Sequence, residues 1–263
     1  MSHRYWQITE APGQKASREQ VARIYHRYRL ALDYARGVEV FEAACGSGIS
    51  LGYLAGVARR VVGGDIDVVN ISAARDARRA LTADIREKVD IVRLDAHHLS
   101  FSPGRFDLVL LFEAVYYLKD PGLFVTEAAR VLRDGGTLIV GTVNKDWPDF
   151  HPSPYTHYYP SVPDLYRLLR SSFASVAIYG AFPSRPEGVR QSAISMLKRV
   201  AVCFDLIPGS LKARSYLKRL FLGPLADLPG QITEGMADYD PPRPLPADRI
   251  DTVHKILYAV ARK

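Results

Sequence analysis

The stretch Val38-Glu39-Val40-Phe41-Glu42-Ala43-Ala44-Cys45-Gly46-Ser47-Gly48 decides the fold of this chain. Its apolar half predicts a buried β-strand over 38–43, and its glycines predict a tight turn before a helix that begins near Ile49. In an α/β protein, such a turn places backbone N–H groups and a helix N-terminus at the carboxyl edge of a sheet, where nucleotides and anionic groups bind. A single G-x-G is equally typical of an ordinary strand-to-helix turn, so the following strands decide between the two interpretations.

A second apolar run, Val61-Val62-Gly63-Gly64-Asp65-Ile66-Asp67, follows about 17 residues after Gly48 and also ends in acid. Open α/β sheets place a carboxylate at this point for the ribose hydroxyls of a bound nucleotide. Nicotinamide dehydrogenases and S-adenosylmethionine (SAM) methyltransferases share this arrangement. The dinucleotide fingerprint G-x-G-x-x-G requires its third glycine at position 51, where this chain has Leu51, and this favours the second class.

Predicted strands and helices alternate regularly along the chain, which indicates a parallel sheet with right-handed crossovers. The predicted strands lie at 38–43, 60–65, 88–94, 106–112, 137–143, 173–182 and 254–261, with helices from Ser17 to about Gly37 and at 49–58, 67–80, 121–133 and 162–171. Ligands of such sheets bind outside the carboxyl ends of the strands. The residues expected at that edge are Gly46, Gly48, Asp65, Asp95 and Glu113.

The segment 42–48, of the form E-x-A-C-G-S-G, resembles motif I of class I SAM-dependent methyltransferases. The resemblance continues with Asp65 as the ribose-binding acid and with Asp95-Ala96 as the acid and small residue beside the adenine. It also covers the fourth strand at 106–113 and the segment 132–140, which is similar to the L-x-P-G-G-x-L motif with Asp134 in place of proline. Within the class, the chain is most similar to small-molecule O- and C-methyltransferases that include the ubiquinone-biosynthesis type, over roughly 20–182 and 254–262.

This resemblance implies a Rossmann-like, doubly wound α/β fold with a seven-stranded sheet, mostly parallel with a late antiparallel strand. It also implies SAM as the cofactor. The cofactor-binding residues that it implies are Glu42, Ala44, Cys45, Gly46, Ser47, Gly48, Asp65, Ile66, Asp95, Ala96 and Glu113. Many members have glycine where this chain has Ala44, and we expect Ala44 to hold the same turn with a negative φ.

We expect residues 1–182 and 254–263 to form the SAM-binding methyltransferase domain, interrupted by a helical, basic, proline-rich insertion at 183–253 that caps the acceptor side. From Arg185 to Arg219 the insertion has eight basic and two acidic residues, a net charge of 8 − 2 = +6 out of +7 for the chain. Three interpretations of this segment stay open: a cap over the acceptor pocket with a solvated basic face, a homo-oligomer contact, or weak contact with an anionic membrane surface.

Transfer of a methyl group to a hydroxyl requires a group that removes the hydroxyl proton. The loop 144–160, aromatic and rich in proline, is expected to cover the acceptor, so its His151 and His157 are the first candidates. Asp146 and Tyr116 follow, with His98 behind them. No third ligand at suitable spacing accompanies His97 and His98, and Cys45 and Cys203 are unpatterned, so we expect neither a metal site nor a disulfide framework.

The sequence predicts a SAM-dependent methyltransferase acting on a small-molecule or saccharide acceptor, most readily at a hydroxyl oxygen. The Asp/Asn-Pro-Pro-Tyr/Phe pattern of enzymes that methylate nucleobase or amide nitrogens is absent after the fourth strand, and we expect no nucleic-acid partner. No apolar run reaches the ~20 residues that span a bilayer, and we expect a cytoplasmic protein. The alternatives are a nicotinamide-dependent oxidoreductase on a Rossmann sheet and a non-catalytic SAM-binding partner subunit.

Overall fold

The computed structural model describes residues 5–7, 9–153, 155–184 and 225–263. Its strands are β1 (Lys15–Ser17), β2 (Glu39–Ala43), β3 (Arg60–Asp65), β4 (Val89–Arg93), β5 (Phe106–Phe112), β6 (Leu132–Val143), β7 (Ser175–Pro183), β8 (Leu225–Asp227), β9 (Arg243–Leu245) and β10 (His254–Arg262). Its α-helices are α1 (Arg18–Ala35), α2 (Leu51–Ala55), α3 (Val68–Arg79), α4 (Ala83–Arg86), α5 (Pro121–Val131) and α6 (Val162–Arg170), and short 3₁₀ helices lie at Tyr5–Gln7 and Val115–Tyr117.

Eight of the described strands form one sheet in the order β4-β3-β2-β5-β6-β10-β7-β9. Strands β2 to β6 pair with one another in parallel. Strand β10 lies between β6 and β7 and is antiparallel to both. The predicted α/β sheet, mostly parallel with a late antiparallel strand, is confirmed. The predicted count of seven strands is one too low, because β9 adds an edge strand beside β7. This three-residue strand contains Pro244. An edge strand tolerates proline, but a proline in so short a segment leaves no pattern from which a strand could be predicted.

Both faces of the sheet are covered by helices. One apolar core holds side chains of α1 and α2, and the core on the other face holds side chains of α5 and α6. The side chains of the central strand β5 alternate between these cores, with Leu108 and Leu110 in the first and Val109 and Leu111 in the second. This two-sided burial explains why β5 is apolar along most of its length.

The predicted starts of α1, α5 and α6 are confirmed by their helix caps. Ser17 caps α1, and its side chain and that of Gln20 bond each other's backbone N–H groups in a capping box. Ser161 and Asp164 form the same arrangement at the start of α6. Asp120 caps α5, whose first residue is Pro121. These local signals fix where these three helices begin. The start of α1 lies beside the start of β10, where Lys255 forms an ion pair with Glu19.

Two boundaries differ from the prediction. The helix expected over 49–58 is only α2, because Gly56 ends it after one and a half turns. The glycine pair Gly135-Gly136 does not separate a helix from a strand, since β6 already begins at Leu132. Leu132 pairs with Phe106, whereas the next pair joins Leu108 to Thr137, so the glycines lie in a bulge of β6.

The described part of the predicted insertion, residues 225–253, packs against the sheet and its helices. Strand β8 pairs with β1, and β9 extends the main sheet. Leu228 and Ile232 are buried in the core that contains α1 and α2. The backbone N–H of Ile232 donates to the carbonyl of Ile49, at the start of the helix after the glycine turn. The helices expected in the basic segment 185–222 lie outside the described residues.

Candidate cofactor and acceptor site

The glycine turn after β2 follows a left-handed backbone path. Ala44, Gly46 and Gly48 have φ values of +54°, +56° and +73°. The expectation of a negative φ at Ala44 is therefore wrong. A non-glycine residue in this region costs roughly 1–2 kcal/mol, so the fold imposes the conformation on Ala44 through the surrounding strand and turn.

Space above Gly46 is limited by the N-terminal segment. A Cβ atom on Gly46 would lie 2.8 Å from Cγ2 of Thr9, and one on Gly48 would lie 2.9 Å from Cβ of Ala74. Both positions thus require glycine for space as well as for φ. The turn brings backbone close to whatever lies at this edge, as expected of a nucleotide-binding turn.

Asp65 at the end of β3 is tied to this turn. Its Oδ2 accepts a hydrogen bond from the Gly46 N–H at 3.0 Å, and its Oδ1 accepts from the Asp67 N–H at 2.9 Å and from Asn70 Nδ2 at 3.3 Å. Burial raises the pKa of Asp65, although these donors favour its charged form. The next residue, Ile66, is 40% exposed at the same edge.

Asp95 and Ala96 follow β4 at the neighbouring strand end. Asp95 Oδ1 accepts from the backbone N–H of His97 at 2.9 Å and lies 2.6 Å from His97 Nδ1. Burial alone would raise the pKa of Asp95, but its bonds with His97 outweigh burial and hold the pKa below its usual value. Ala96 packs against the apolar core, which leaves a small side chain beside the Asp95 carboxylate.

Glu42 in β2 is the most buried carboxyl of the set, at 1% exposure. Tyr28 Oη donates to its Oε1 at 2.5 Å, and Ser50 Oγ donates to its Oε2 at 2.7 Å. Burial raises the pKa of Glu42 to about 7 despite these two donors. Sequence reasoning did not find Ser50.

Glu113 follows β5 with φ of +51°, a second strained position at this edge. Its Oε2 accepts from Tyr116 Oη at 2.8 Å. Burial raises the pKa of Glu113, while the nearby Arg27 and the Tyr116 hydroxyl favour its charged form. Phe182 in β7 has φ of +56°, so strand ends β2, β5 and β7 each carry a non-glycine residue in the left-handed region. Such strain is concentrated at functional sites.

Cys45 and Ser47 complete the turn. Cys45 is a buried free thiol whose pKa burial raises, so it is not poised as a nucleophile. Ser47 Oγ donates to the backbone carbonyl of Glu10 at 2.8 Å. Ser47 therefore ties the turn to the N-terminal segment, while Cys45 is buried within it.

The N-terminal segment crosses the cofactor edge, which the sequence did not predict. The backbone N–H of Trp6 donates to Asp67 Oδ2 at 3.2 Å, Thr9 Oγ1 accepts from Asn70, and Glu10 pairs with Arg27. The ring of Tyr5 meets that of Tyr117 edge-on at 6.0 Å. Residues 5–16 have no strong periodic pattern, and their contacts depend on residues far along the chain.

The four candidate proton acceptors differ in their burial and in their hydrogen-bond partners. His151 and His157 are exposed, and neither side chain has a hydrogen-bond partner among the described residues, although the His157 N–H donates to the Tyr116 carbonyl. Tyr116 is buried and donates to Glu113. Asp146 Oδ2 is buried without a partner in the described structure, and burial raises its pKa. His98, the remaining candidate, is exposed after β4.

The edge fits SAM as a cofactor. Four acidic residues lie at the ends of neighbouring strands: Glu42, Asp65, Asp95 and Glu113. The turn after β2 has glycine at the two positions where a Cβ atom would collide with a neighbour. When bound, SAM supplies a methyl group on a positively charged sulfur.

Among the described residues no group of three or more His, Cys, Asp or Glu side chains is placed to hold a metal ion. None of the described helices is both long and apolar enough to cross a membrane.

The fold and the glycine–carboxylate edge define a nucleotide-binding domain of the Rossmann-like methyltransferase type. Residues 41–140 match the family model described as a methyltransferase domain. This match confirms, over residues 41–140, the predicted resemblance to class I SAM-dependent methyltransferases.

Curated relatives support this resemblance. A "ubiquinone biosynthesis O-methyltransferase" of Bradyrhizobium sp. (strain ORS 278) is 30% identical over 135 residues, 51% of this chain and 51% of that protein. A "probable S-adenosylmethionine-dependent methyltransferase" of Mycolicibacterium smegmatis is 37% identical over 118 residues, 45% of this chain and 43% of that protein. The chain thus spans about half the length of the curated relatives that it matches.

A solved structure shares the fold over nearly the whole chain. It is a SAM-dependent methyltransferase of Thermotoga maritima, described as a "possible histamine N-methyltransferase", with a TM-score of 0.54 and 14% sequence identity. The alignment covers 93% of this chain and 97% of that one. At this identity the likeness concerns the fold alone.

Proposed function

We propose that this protein transfers a methyl group from SAM to a hydroxyl oxygen of a small-molecule or saccharide acceptor. The observation that carries the proposal is the bond between Asp65 and the Gly46 N–H, which joins the ribose-type acid to the glycine turn. The relative from Bradyrhizobium, named as an O-methyltransferase, supports oxygen as the accepting atom.

In this proposal the chain's own residues mainly bind and orient. The glycine turn, Asp65 and Asp95 hold the cofactor, with Glu42 and Glu113 at neighbouring strand ends. The loop 144–160 covers the acceptor and excludes water. His151, His157, Asp146 and Tyr116 are our candidates for side chains that contact the acceptor.

The insertion belongs to the acceptor side in this proposal. Residues 228–240 already contact α1 and α2, and Glu234 accepts hydrogen bonds from Tyr25 at 2.8 Å and from Tyr53 at 2.5 Å. Homo-oligomerisation and weak contact with an anionic membrane surface are proposals about the basic segment 185–222. Division of the chain at 182 and 254 is likewise our proposal.

Methyl transfer from radiolabelled SAM is the direct test. The purified protein is incubated with catechol and, separately, with methyl glucoside, and both labelled product and S-adenosylhomocysteine are measured. Label in an ether product supports the proposal. SAM binding without transfer to any acceptor would favour a non-catalytic subunit, and binding of NAD with hydride transfer would favour an oxidoreductase.

A further inference from the structure

His97 lies in the turn that follows β4, directly after the two residues that we expect beside the adenine. Its Nδ1 lies 2.6 Å from Oδ1 of Asp95, and its Nε2 lies 3.3 Å from the backbone nitrogen of Asp120. The imidazole therefore bridges a predicted cofactor residue and the start of α5.

The contact with Asp120 determines which ring nitrogen of His97 carries the proton. A backbone N–H can only donate, so Nε2 accepts this hydrogen bond and the ring proton lies on Nδ1. The carboxylate of Asp120 caps α5 through the N–H groups of Gly122 and Leu123, which holds the backbone of Asp120 in place. The Nδ1–H of His97 therefore donates to Oδ1 of Asp95.

These bonds use one oxygen of the Asp95 carboxylate and leave the other unbonded. Oδ1 also accepts the backbone N–H of His97 at 2.9 Å, so both of its lone pairs are occupied. Oδ2 has no hydrogen-bond partner among the residues that the structure describes. Although burial opposes them, the bonds with His97 hold the pKa of Asp95 below its usual value, so the carboxylate is charged near neutral pH and can only accept.

The turn around Asp95 is closed, but its carboxylate stays accessible. The His98 N–H donates to the Asp95 carbonyl at 3.0 Å, which closes the turn. The Asp95 side chain is 45% exposed, whereas that of His97 is only 17% exposed. A largely buried ring thus holds an accessible carboxylate, and Oδ2 remains available to a ligand.

Asp95 lies beside Asp65, the ribose-type acid. Asp65 pairs with Arg93 across the strands β3 and β4, and the Leu94 N–H donates to the Asp65 carbonyl at 3.1 Å, so Asp95 follows immediately. Burial raises the pKa of Tyr5, and the charges of Asp95 and Asp65 raise it further. Both carboxylates therefore act on the same side chain, and they face a common region at this edge of the sheet.

The chemistry of adenine matches the free oxygen of Asp95. The base of a nucleoside is joined directly to its ribose, so a ribose held by Asp65 brings the base to the neighbouring strand end. The 6-amino group of adenine donates hydrogen bonds, whereas the ring nitrogen beside it accepts. A carboxylate oxygen therefore matches the amino group, and a 6-oxo group in the same place would set two acceptors against each other.

We propose that His97 is a positioning residue for the cofactor: its Nδ1–H fixes the Asp95 carboxylate so that Oδ2 accepts the 6-amino group of adenine. This inference rests on the proposed function, because it requires Asp95 to face the bound cofactor. His97 itself does not contact the cofactor. It acts through Asp95, and it makes the site selective for a 6-amino purine over a 6-oxo purine.

The first experiment needs no bound ligand. Two-dimensional ¹H–¹⁵N correlation spectra of the histidine rings in the full chain distinguish a protonated from an unprotonated ring nitrogen. The signals of His97 are assigned by their loss in His97→Asn. The ring of His97 should carry its proton on Nδ1, and a proton on Nε2 would overturn the inference.

The second experiment measures the Kd of S-adenosylhomocysteine and of S-inosylhomocysteine, which has a 6-oxo group in place of the amino group. His97→Phe keeps a ring but loses both nitrogens, and it should weaken the binding of S-adenosylhomocysteine about fivefold or more. Its Kd for S-inosylhomocysteine should stay within about twofold of the wild-type value. His97→Asn, whose amide N–H can replace the Nδ1–H, should restore most of the lost affinity. The control Ser100→Ala, at an exposed position in the same loop, should bind both compounds as the wild type does.

A double-mutant cycle shows whether His97 acts through Asp95. In the Asp95→Ala background, His97→Phe should cause no further loss of affinity for S-adenosylhomocysteine. A further loss there, an unchanged affinity in His97→Phe alone, or an equal loss for both compounds would overturn the inference. A wild type that binds neither SAM nor S-adenosylhomocysteine would instead overturn the proposed function.

Discussion

The carboxylate of Asp65 accepts a hydrogen bond from the backbone N–H of Gly46 at 3.0 Å, joining the ends of two adjacent parallel strands. The glycine turn therefore takes its shape partly from the acid that we expect to bind the ribose. Loss of either residue should affect both the turn and the ligand, and the variants below separate these effects.

Gly46→Val should abolish SAM binding, because φ of +56° disfavours a β-branched residue and its Cβ would collide with Thr9. The matched control is Gly104→Val. Gly104 has φ of +65° but nothing within 4 Å of its Cβ position, so it suffers comparable backbone strain far from the site. Thermal unfolding with and without SAM distinguishes them. A SAM-dependent rise of Tm in Gly46→Val would show that the glycine turn is misassigned.

Ala44→Gly should leave the protein as stable as the wild type or more stable by up to about 1.5 kcal/mol. Glycine relieves the left-handed strain of roughly 1–2 kcal/mol, while the more flexible unfolded chain offsets about 0.4–1 kcal/mol of that gain. Urea unfolding measures the difference. A clear loss of stability would mean that the Ala44 methyl group makes contacts that outweigh its strain.

Glu42 should make the protein less stable as the pH rises from about 5 to 7. Its folded pKa of about 7 lies above the ordinary value of 4.5, so over this window the unfolded chain releases the proton first and unfolding becomes easier. The cost is complete above the folded pKa and is on the order of 3 kcal/mol. In Glu42→Gln, the free energy of unfolding should vary less over this window. Equal pH dependence in both proteins would place the folded pKa of Glu42 near its ordinary value.

The alternation of strands and helices, the capping boxes and the edge that carries the site could all be predicted, because each depends on short-range patterns. The helix caps at Ser17 and Ser161 are such patterns. The pairing of β9 with β7 depends on residues more than 60 positions apart and has no local signal. The contacts of the N-terminal segment likewise join residues far apart in the chain and have no local signal.

The positive φ of Ala44 also escaped prediction, because alanine prefers the right-handed region and only the strand and turn around it impose the other one. His151 and His157 stay predictions, which rest on the expectation that their loop covers the acceptor. The orientation of His97 depends on Asp95 two residues before it and on the backbone N–H of Asp120. Only the first of these is local in sequence.

Replacement of both His151 and His157 by Ala should lower turnover, because it weakens acceptor binding. The Kd for SAM should stay within about threefold of the wild-type value, a change in binding free energy of at most about 0.65 kcal/mol. Both side chains are exposed on the loop after β6. Calorimetry measures the Kd for SAM, and steady-state kinetics measures kcat and KM for catechol. A large loss of SAM affinity would show that this loop closes over the cofactor.

Titration of SAM into the wild type and Asp65→Ala by calorimetry tests the central claim most directly, with Asp76→Ala, an exposed carboxyl on α3, as the control. Charge-assisted hydrogen bonds are worth roughly 1.5–3 kcal/mol each, so Asp65→Ala should weaken SAM binding about 10-fold or more while the chain stays folded. The wild type and the control should bind SAM equally and should not bind NAD. Binding of NAD but not SAM by the wild type, or unchanged SAM affinity in folded Asp65→Ala, would contradict the account.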